Sequence, residues 1–87
     1  MRVDKYLQLS QLVRRRVLAQ RLCDAGRVQV NERRARPATP VAVGDILEVS
    51  LEQRRLRVRV LHLPASPREA GRTPPYEILG EDSLGWW

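Results

Sequence analysis

The run RRLRVRVLHL at positions 54–63 alternates with period two: Leu56, Val58 and Val60 point one way, and Arg55, Arg57 and Arg59 the other. Only extended backbone separates those two sets, so the segment reads as a strand with one wet face. Upstream, VAVGDILEVSL (41–51) sets the turn signal Gly44-Asp45 before a second strand-like run, Ile46, Leu47, Val49 and Leu51. Glu52-Gln53 offers the turn between the two strands.

The first third of the chain has the other period. Val3 and Leu7 lie four apart with Tyr6 beside them, the spacing of a short helix running to about Leu9, which Ser10 ends or which is followed by a segment Ser10 caps. From Arg14 to Ala25, Leu18, Leu22 and Ala25 form an i, i+4, i+7 stripe widened by Ala19 and Cys23, so these are expected to face the core. Gly26 is the helix stop. Arg27-Val28-Gln29-Val30 then alternates, Asn31-Glu32 offers a turn, and the basic segment Arg33-Arg34-Ala35-Arg36 returns, a hairpin pattern. From Pro64 onward Pro67, Gly71, Pro74 and Pro75 interrupt any long element, although Tyr76, Ile78 and Leu79 are apolar enough to pack back onto the domain. There is no internal repeat.

Eighty-seven residues give room for one domain and one modest core. Sixteen basic residues against ten acidic give +6, and Lys5 is the only lysine. Residues 1–44 hold ten basic and three acidic side chains, a balance of +7, whereas residues 45–87 hold six and seven, a balance of −1. A negatively charged partner is therefore expected to meet the first half. Arginine matches phosphate with a flat fork of donors, although arginine in place of lysine also follows from genome composition. Both readings stay open at this point.

The triple Arg14-Arg15-Arg16 opens a helix, where the macrodipole prefers anions, so each cation there opposes helix stability by about 0.3 to 1 kcal/mol. Ordinary solvated surface charge is one explanation. A docked phosphate is the other, since free N–H groups and guanidinium groups would attract it together.

Several classes are expected to be excluded. One cysteine, Cys23, makes no internal disulfide, and one histidine, His62, with one cysteine is too few for a structural zinc site of about four ligands. No metal or cofactor is expected, and no paired acids, Ser-His-Asp order or phosphate-cradling glycine loop suggests an enzyme. Cys23 reads as a small buried hydrophobe. No apolar run approaches the roughly 18 residues of a membrane span, and the start of the chain lacks the apolar stretch of a signal peptide, so a cytoplasmic protein without a membrane partner is expected. A DNA-reading helix-turn-helix would share the basic second helix, but the strands that follow fit it poorly.

In order, RVDKYL, RRRVLAQRLCDAGRVQVN and VAVGDILEV resemble the S4 RNA-binding domain family (the αL motif), whose pattern is Arg-apolar-Asp-Lys, a helix ending in Gly, a Val-x-Val-Asn hairpin and a Gly-Asp turn. The resemblance covers about Met1 to Leu61. Within that family the opening RVDKYLQLSQLVRRR is most similar to small free-standing members of bacterial ribosome quality control, with heat-shock S4 proteins that bind large subunits carrying nascent chains as close competitors.

The resemblance implies an α+β fold, two N-terminal helices packed on a small antiparallel sheet, taken over residues 1–63; the prolines and glycines after it are expected to make an irregular tail over 64–87, partly ordered or flexible. It implies a protein that binds ribosomal RNA of the large subunit and tRNA; a nascent-chain elongation factor is the expected protein partner, and a non-catalytic monomer is expected. Its role would be to hold the tRNA during template-free C-terminal tailing of a stalled chain. Arg2 and Arg16 occupy the family's best-marked RNA-contact positions, with Asp4 beside Arg2. Lys5, Arg14, Arg15 and Gln20 join them by helical position, and Arg27, Asn31, Arg33 and Arg34 by their place in the hairpin. Asp4 either orients Arg2 or Lys5 or simply favours the first helical turn. Two departures stand out: Glu32 follows Asn31 where the family commonly has glycine, and Pro74-Pro75 precede Tyr76 where relatives often show a helical segment. Trp86 and Trp87 are expected to form a disordered tail, with docking on the sheet or stacking on a base as alternatives.

Overall fold

The computed structural model describes residues 1–83; Trp86 and Trp87 lie outside the described residues. Helix α1 spans Val3–Leu9, ends at Ser10 as its C-cap, and buries Val3, Tyr6 and Leu7 completely. Helix α2 spans Arg16–Asp24, so Arg14 and Arg15 precede it, Arg15 being the N-cap. Its end is fixed by Gly26 in the left-handed region at φ +75°: the Gly26 amide donates to the Cys23 carbonyl (3.0 Å) and the Arg27 amide to the Leu22 carbonyl (2.9 Å). That pair of bonds satisfies two orphan carbonyls of the last turn, and the positive φ is what requires glycine there.

Five antiparallel strands follow in the sheet order β2-β1-β3-β4-β5: β1 Val28–Val30, β2 Arg33–Arg34, β3 Ile46–Ser50, β4 Arg54–Val60 and β5 Tyr76–Ser83. In β4 the alternation seen in the sequence is realised, with Leu56, Val58 and Val60 buried and Arg55, Arg57 and Arg59 exposed. The inward residues of β1, β3 and β4 form one cluster with Val3, Tyr6 and Leu7 of α1 and Ala19 and Cys23 of α2. The helices therefore cover one face of the sheet, the α+β architecture expected, while arginines line the other.

Two features depart from expectation. The buried positions of α2 are Ala19 and Cys23; Leu22 is half-buried, Leu18 is 46% exposed and Ala25 is exposed. The small Ala19 and Cys23 let α1 and α2 approach, and the turn of α2 that faces α1 is set by polar groups described below.

The segment expected to be an irregular tail instead supplies a short helix and a strand. Ser66 caps α3 (Pro67–Ala70) by accepting the Glu69 amide at 3.3 Å, with Pro67 at the first helical position, where its missing N–H costs nothing. β5 pairs with β4 along Arg54–Val60, with an irregularity between Arg57 and Val58. The prolines are compatible with this because Pro74 and Pro75 lie just outside the strand, where no ladder donor is needed. The Pro75 carbonyl accepts from the Leu61 amide (3.0 Å), the His62 amide (3.2 Å) and the buried Tyr6 hydroxyl (2.5 Å).

Candidate nucleic-acid interface

Asp4 is the second residue of α1, a position where the helix dipole favours a carboxylate, yet it is fully buried. Such a carboxylate is tolerated only if its lone pairs are satisfied. Oδ1 accepts the Lys5 amide (2.7 Å) and Arg2 Nε (3.1 Å); Oδ2 accepts Arg2 Nη2 (3.2 Å), Arg16 Nε (3.3 Å) and Gln20 Nε2 (3.0 Å). Burial alone would raise its pKa. The hydrogen bonds from Gln20, Arg16 and the Lys5 amide, with the charge of Arg16, outweigh that and hold the carboxyl below its ordinary value.

One buried anion thus gathers three side chains from two helices. Arg16 and Gln20 reach it because they lie four apart on α2 and so share a side of that helix. Arg2 reaches it from the extended N-cap position of α1. The Arg2 and Arg16 side chains remain 48% and 43% exposed. Each is tethered by its bonds to Asp4 yet half-exposed, with Nη1 of Arg2 and both Nη groups of Arg16 outside those bonds and so available to a phosphate.

Lys5, Arg14 and Arg15 add exposed positive charge around this cluster, without an ion pair among the described residues. The N-cap Arg15 makes no capping bond, so the first amides of α2 remain available beside those charges.

The hairpin residues divide. Asn31 and Glu32 form its two-residue turn with φ of 51° and 69°. The Asn31 side chain is already engaged: its Oδ1 accepts the Ile46 amide (2.9 Å) and its Nδ2 donates to Asp45 Oδ1 (3.2 Å), tying the hairpin to the Gly44-Asp45 turn. Arg34 is likewise partly engaged, its Nη2 donating to the Asp24 carbonyl (2.8 Å) at the end of α2, where a cation is favourable. Arg33 is exposed and free of ion pairs among the described residues. Arg27 is separated from the Asp4 cluster. It lines a polar concavity with Gln29, Glu48, Ser50 and Arg55.

On β4, Arg59 and Arg54 are spent on β5 through ion pairs with Glu77 (2.6 Å) and Glu81 (3.0 Å), while Arg55 and Arg57 have no ion pair among the described residues. Cys23 is buried, which, with the nearby charges of Asp4 and Asp24, pushes its thiol up to about 11, in keeping with a packing role. Chain position pairs Asp4 with Arg2 or Lys5, whereas its bonds to Arg16 and Gln20 join residues 12 and 16 apart and leave no local signal. Arg36, the third arginine of the segment RRAR and not among the residues expected from the sequence, is also exposed.

Residues 1–47 match the S4 domain family. The chain is 36% identical over 85 residues to the RQC P-site tRNA stabilizing factor of Bacillus subtilis, covering 98% of this chain and 99% of that protein. It is 36% identical to the factor of the same name from Streptococcus pneumoniae, covering 93% and 92%. In fold it is similar to the trimeric structure of Vibrio cholerae heat shock protein 15, with a TM-score of 0.79 at 22% identity over 90% of this chain and 80% of that one. On an S4 match over more than half its length and near-full-length identity above 30%, the chain belongs to the S4-domain family of RQC P-site tRNA stabilizing factors.

Proposed function

We propose that this protein stabilises P-site tRNA on the large ribosomal subunit during ribosome quality control. It acts by binding and carries out no reaction of its own. The observation that carries the reading is the buried Asp4 carboxylate, which holds Arg2, Arg16 and Gln20 in one exposed cluster on the strongly basic first half of a chain related over nearly its full length to such factors. Arg2 and Arg16 are assigned the principal phosphate contacts, with Lys5, Arg14, Arg15 and Gln20 beside them. Arg33 and the remaining donors of Arg34 and Asn31 form a second line from the hairpin, and Arg27 is the outlying member. All of these lie within residues 1–63, taken as the RNA-binding unit, which the Tyr6–Pro75 bond ties to the entry of β5.

The same reading assigns large-subunit ribosomal RNA as a second ligand, a nascent-chain elongation factor as the protein partner, a monomeric bound state and a cytoplasmic site of action. Among the described residues no helix is long and apolar enough to cross a membrane. The test is affinity purification of the tagged protein with RNA sequencing and mass spectrometry. Large subunits carrying peptidyl-tRNA, together with a nascent-chain elongation factor, are the expected yield. Large subunits without that factor would move the assignment to the heat-shock type of S4 protein, and enrichment of chromosomal DNA would overturn it.

A further inference from the structure

The side of α2 that carries Arg16 and Gln20 continues to Cys23 and Asp24, three and four residues beyond Gln20 and therefore one turn, about 5.4 Å, further along the helix. There Cys23 and Asp24 meet Arg34, Arg36 and Pro37 around a polar cavity of about 580 Å³. Its far wall is the 36–39 turn, closed by the Arg36 amide donating to Thr39 Oγ1 (2.8 Å) and the Thr39 amide donating to the Arg36 carbonyl (3.0 Å). That turn is fixed to the start of α1: the Pro37 carbonyl accepts the Asp4 amide (3.3 Å) and the Thr39 carbonyl accepts the Val3 amide (2.7 Å). The cavity is therefore built on the same helix N-terminus as the Asp4 cluster and lies next to it.

Its two guanidinium groups are placed differently. Arg34 is anchored by its bond to the Asp24 carbonyl, which leaves its other donors oriented. Arg36 is exposed, and its guanidinium makes no ion pair or hydrogen bond among the described residues. Asp24 brings one negative charge to the wall against two positive ones, so the cavity suits a singly charged anion. A backbone phosphate of an RNA strand has that charge, and a strand held at Arg16 and Gln20 that follows α2 arrives at this point next.

We propose that Arg36, with Arg34 as a fixed second donor, holds an RNA backbone phosphate in this cavity, extending the RNA path from the Asp4 cluster toward the end of α2. The proposal rests on the RNA-binding reading of that cluster, and the experiment separates the two. Full-length parent, Arg36→Gln, Arg36→Lys and Arg16→Gln proteins are titrated onto purified large subunits carrying P-site tRNA over a series of salt concentrations.

Arg36→Gln is expected to weaken binding about fivefold and to reduce the slope of log affinity against log salt by about 0.7 to 0.9, the loss of one phosphate contact. Arg36→Lys should restore the slope and only part of the affinity, because lysine keeps the charge without the fork. If Arg16→Gln weakens binding while Arg36→Gln matches the parent in affinity and slope, the cavity proposal is overturned and the interface reading stands. If neither variant differs from the parent, the interface reading falls and takes the cavity with it. Repeating the titration on deproteinised large-subunit RNA with tRNA closes the remaining route. An Arg36→Gln effect that disappears there would place Arg36 on an acidic ribosomal protein and also overturn the proposal.

Discussion

The Tyr6 hydroxyl donates a 2.5 Å hydrogen bond to the Pro75 carbonyl, 69 residues further along the chain, inside the core. The bond joins α1, which carries Asp4, to the entry of β5, and burial, with the nearby Tyr76, pushes the Tyr6 phenol far above its ordinary range. Tyr6→Phe removes the donor but leaves Pro75 the amides of Leu61 and His62, so the carbonyl is not orphaned. The expected cost is about 1 kcal/mol, read as a lower midpoint in urea unfolding with an unchanged slope. A stability equal to that of the parent would mean the bond contributes nothing.

Asp4→Asn keeps the shape of the hub and removes its charge. Loss of charge-assisted bonds to Arg2 and Arg16 should cost about 2 kcal/mol at neutral pH and loosen both guanidinium groups, lowering affinity for large subunits. The pH dependence has a defined sign. Because the folded-state pKa lies below the ordinary 3.8, the carboxylate's contribution is fully present above about pH 4 and is lost as pH falls through the folded value. The stability difference between parent and Asp4→Asn should therefore shrink on acidification, as followed by denaturant titrations at a series of pH values. A difference that grew would contradict the assignment.

Glu32 sits in the left-handed region at φ 69°, where a side chain is strained, and it puts an exposed negative charge between Asn31 and Arg33, two residues assigned to the RNA interface. Glu32→Gly should stabilise the protein by about 1 kcal/mol, a rise of about 4 to 8 °C in melting temperature. It should also raise affinity for RNA, since one repelling charge is gone. A lower melting temperature would show that the Glu32 side chain contributes more than its strain costs.

Arg16→Ala and Arg57→Ala contrast the two arginine surfaces. Arg16→Ala should weaken binding to large subunits about tenfold and lower the salt slope by about 0.7 to 0.9, while Arg57→Ala stays within about twofold of the parent. Equal losses in a pelleting assay would place the outer face of the sheet in the interface as well.

Cys23 should resist alkylation by iodoacetamide in the native protein at pH 8, where a buried thiol pushed up to about 11 is almost entirely protonated. Labelling should become complete after denaturation; rapid native labelling, detected by mass, would show that α2 opens readily.

The sequence by itself determined what depends on neighbours in the chain: the helix from Val3 to Leu9, the stop at Gly26, the hairpin at Asn31-Glu32 and the two-faced strand ending at Val60. Their signals are periodicity and backbone preference, which act over a few residues. Tertiary structure alone decided which side of α2 turns inward. The stripe through Leu18 is the more apolar, yet the buried Asp4 carboxylate needs the donors of Arg16 and Gln20, and the small Ala19 and Cys23 fill the contact beside them. Likewise Asn31 became a bridge to Asp45, and Tyr76–Ser83, beyond the prolines, became a sheet strand, because their partners lie 14 or more residues away. An unsatisfied buried charge or an unpaired strand edge costs more than local pattern can return, and only the folded chain brings the compensating groups within reach.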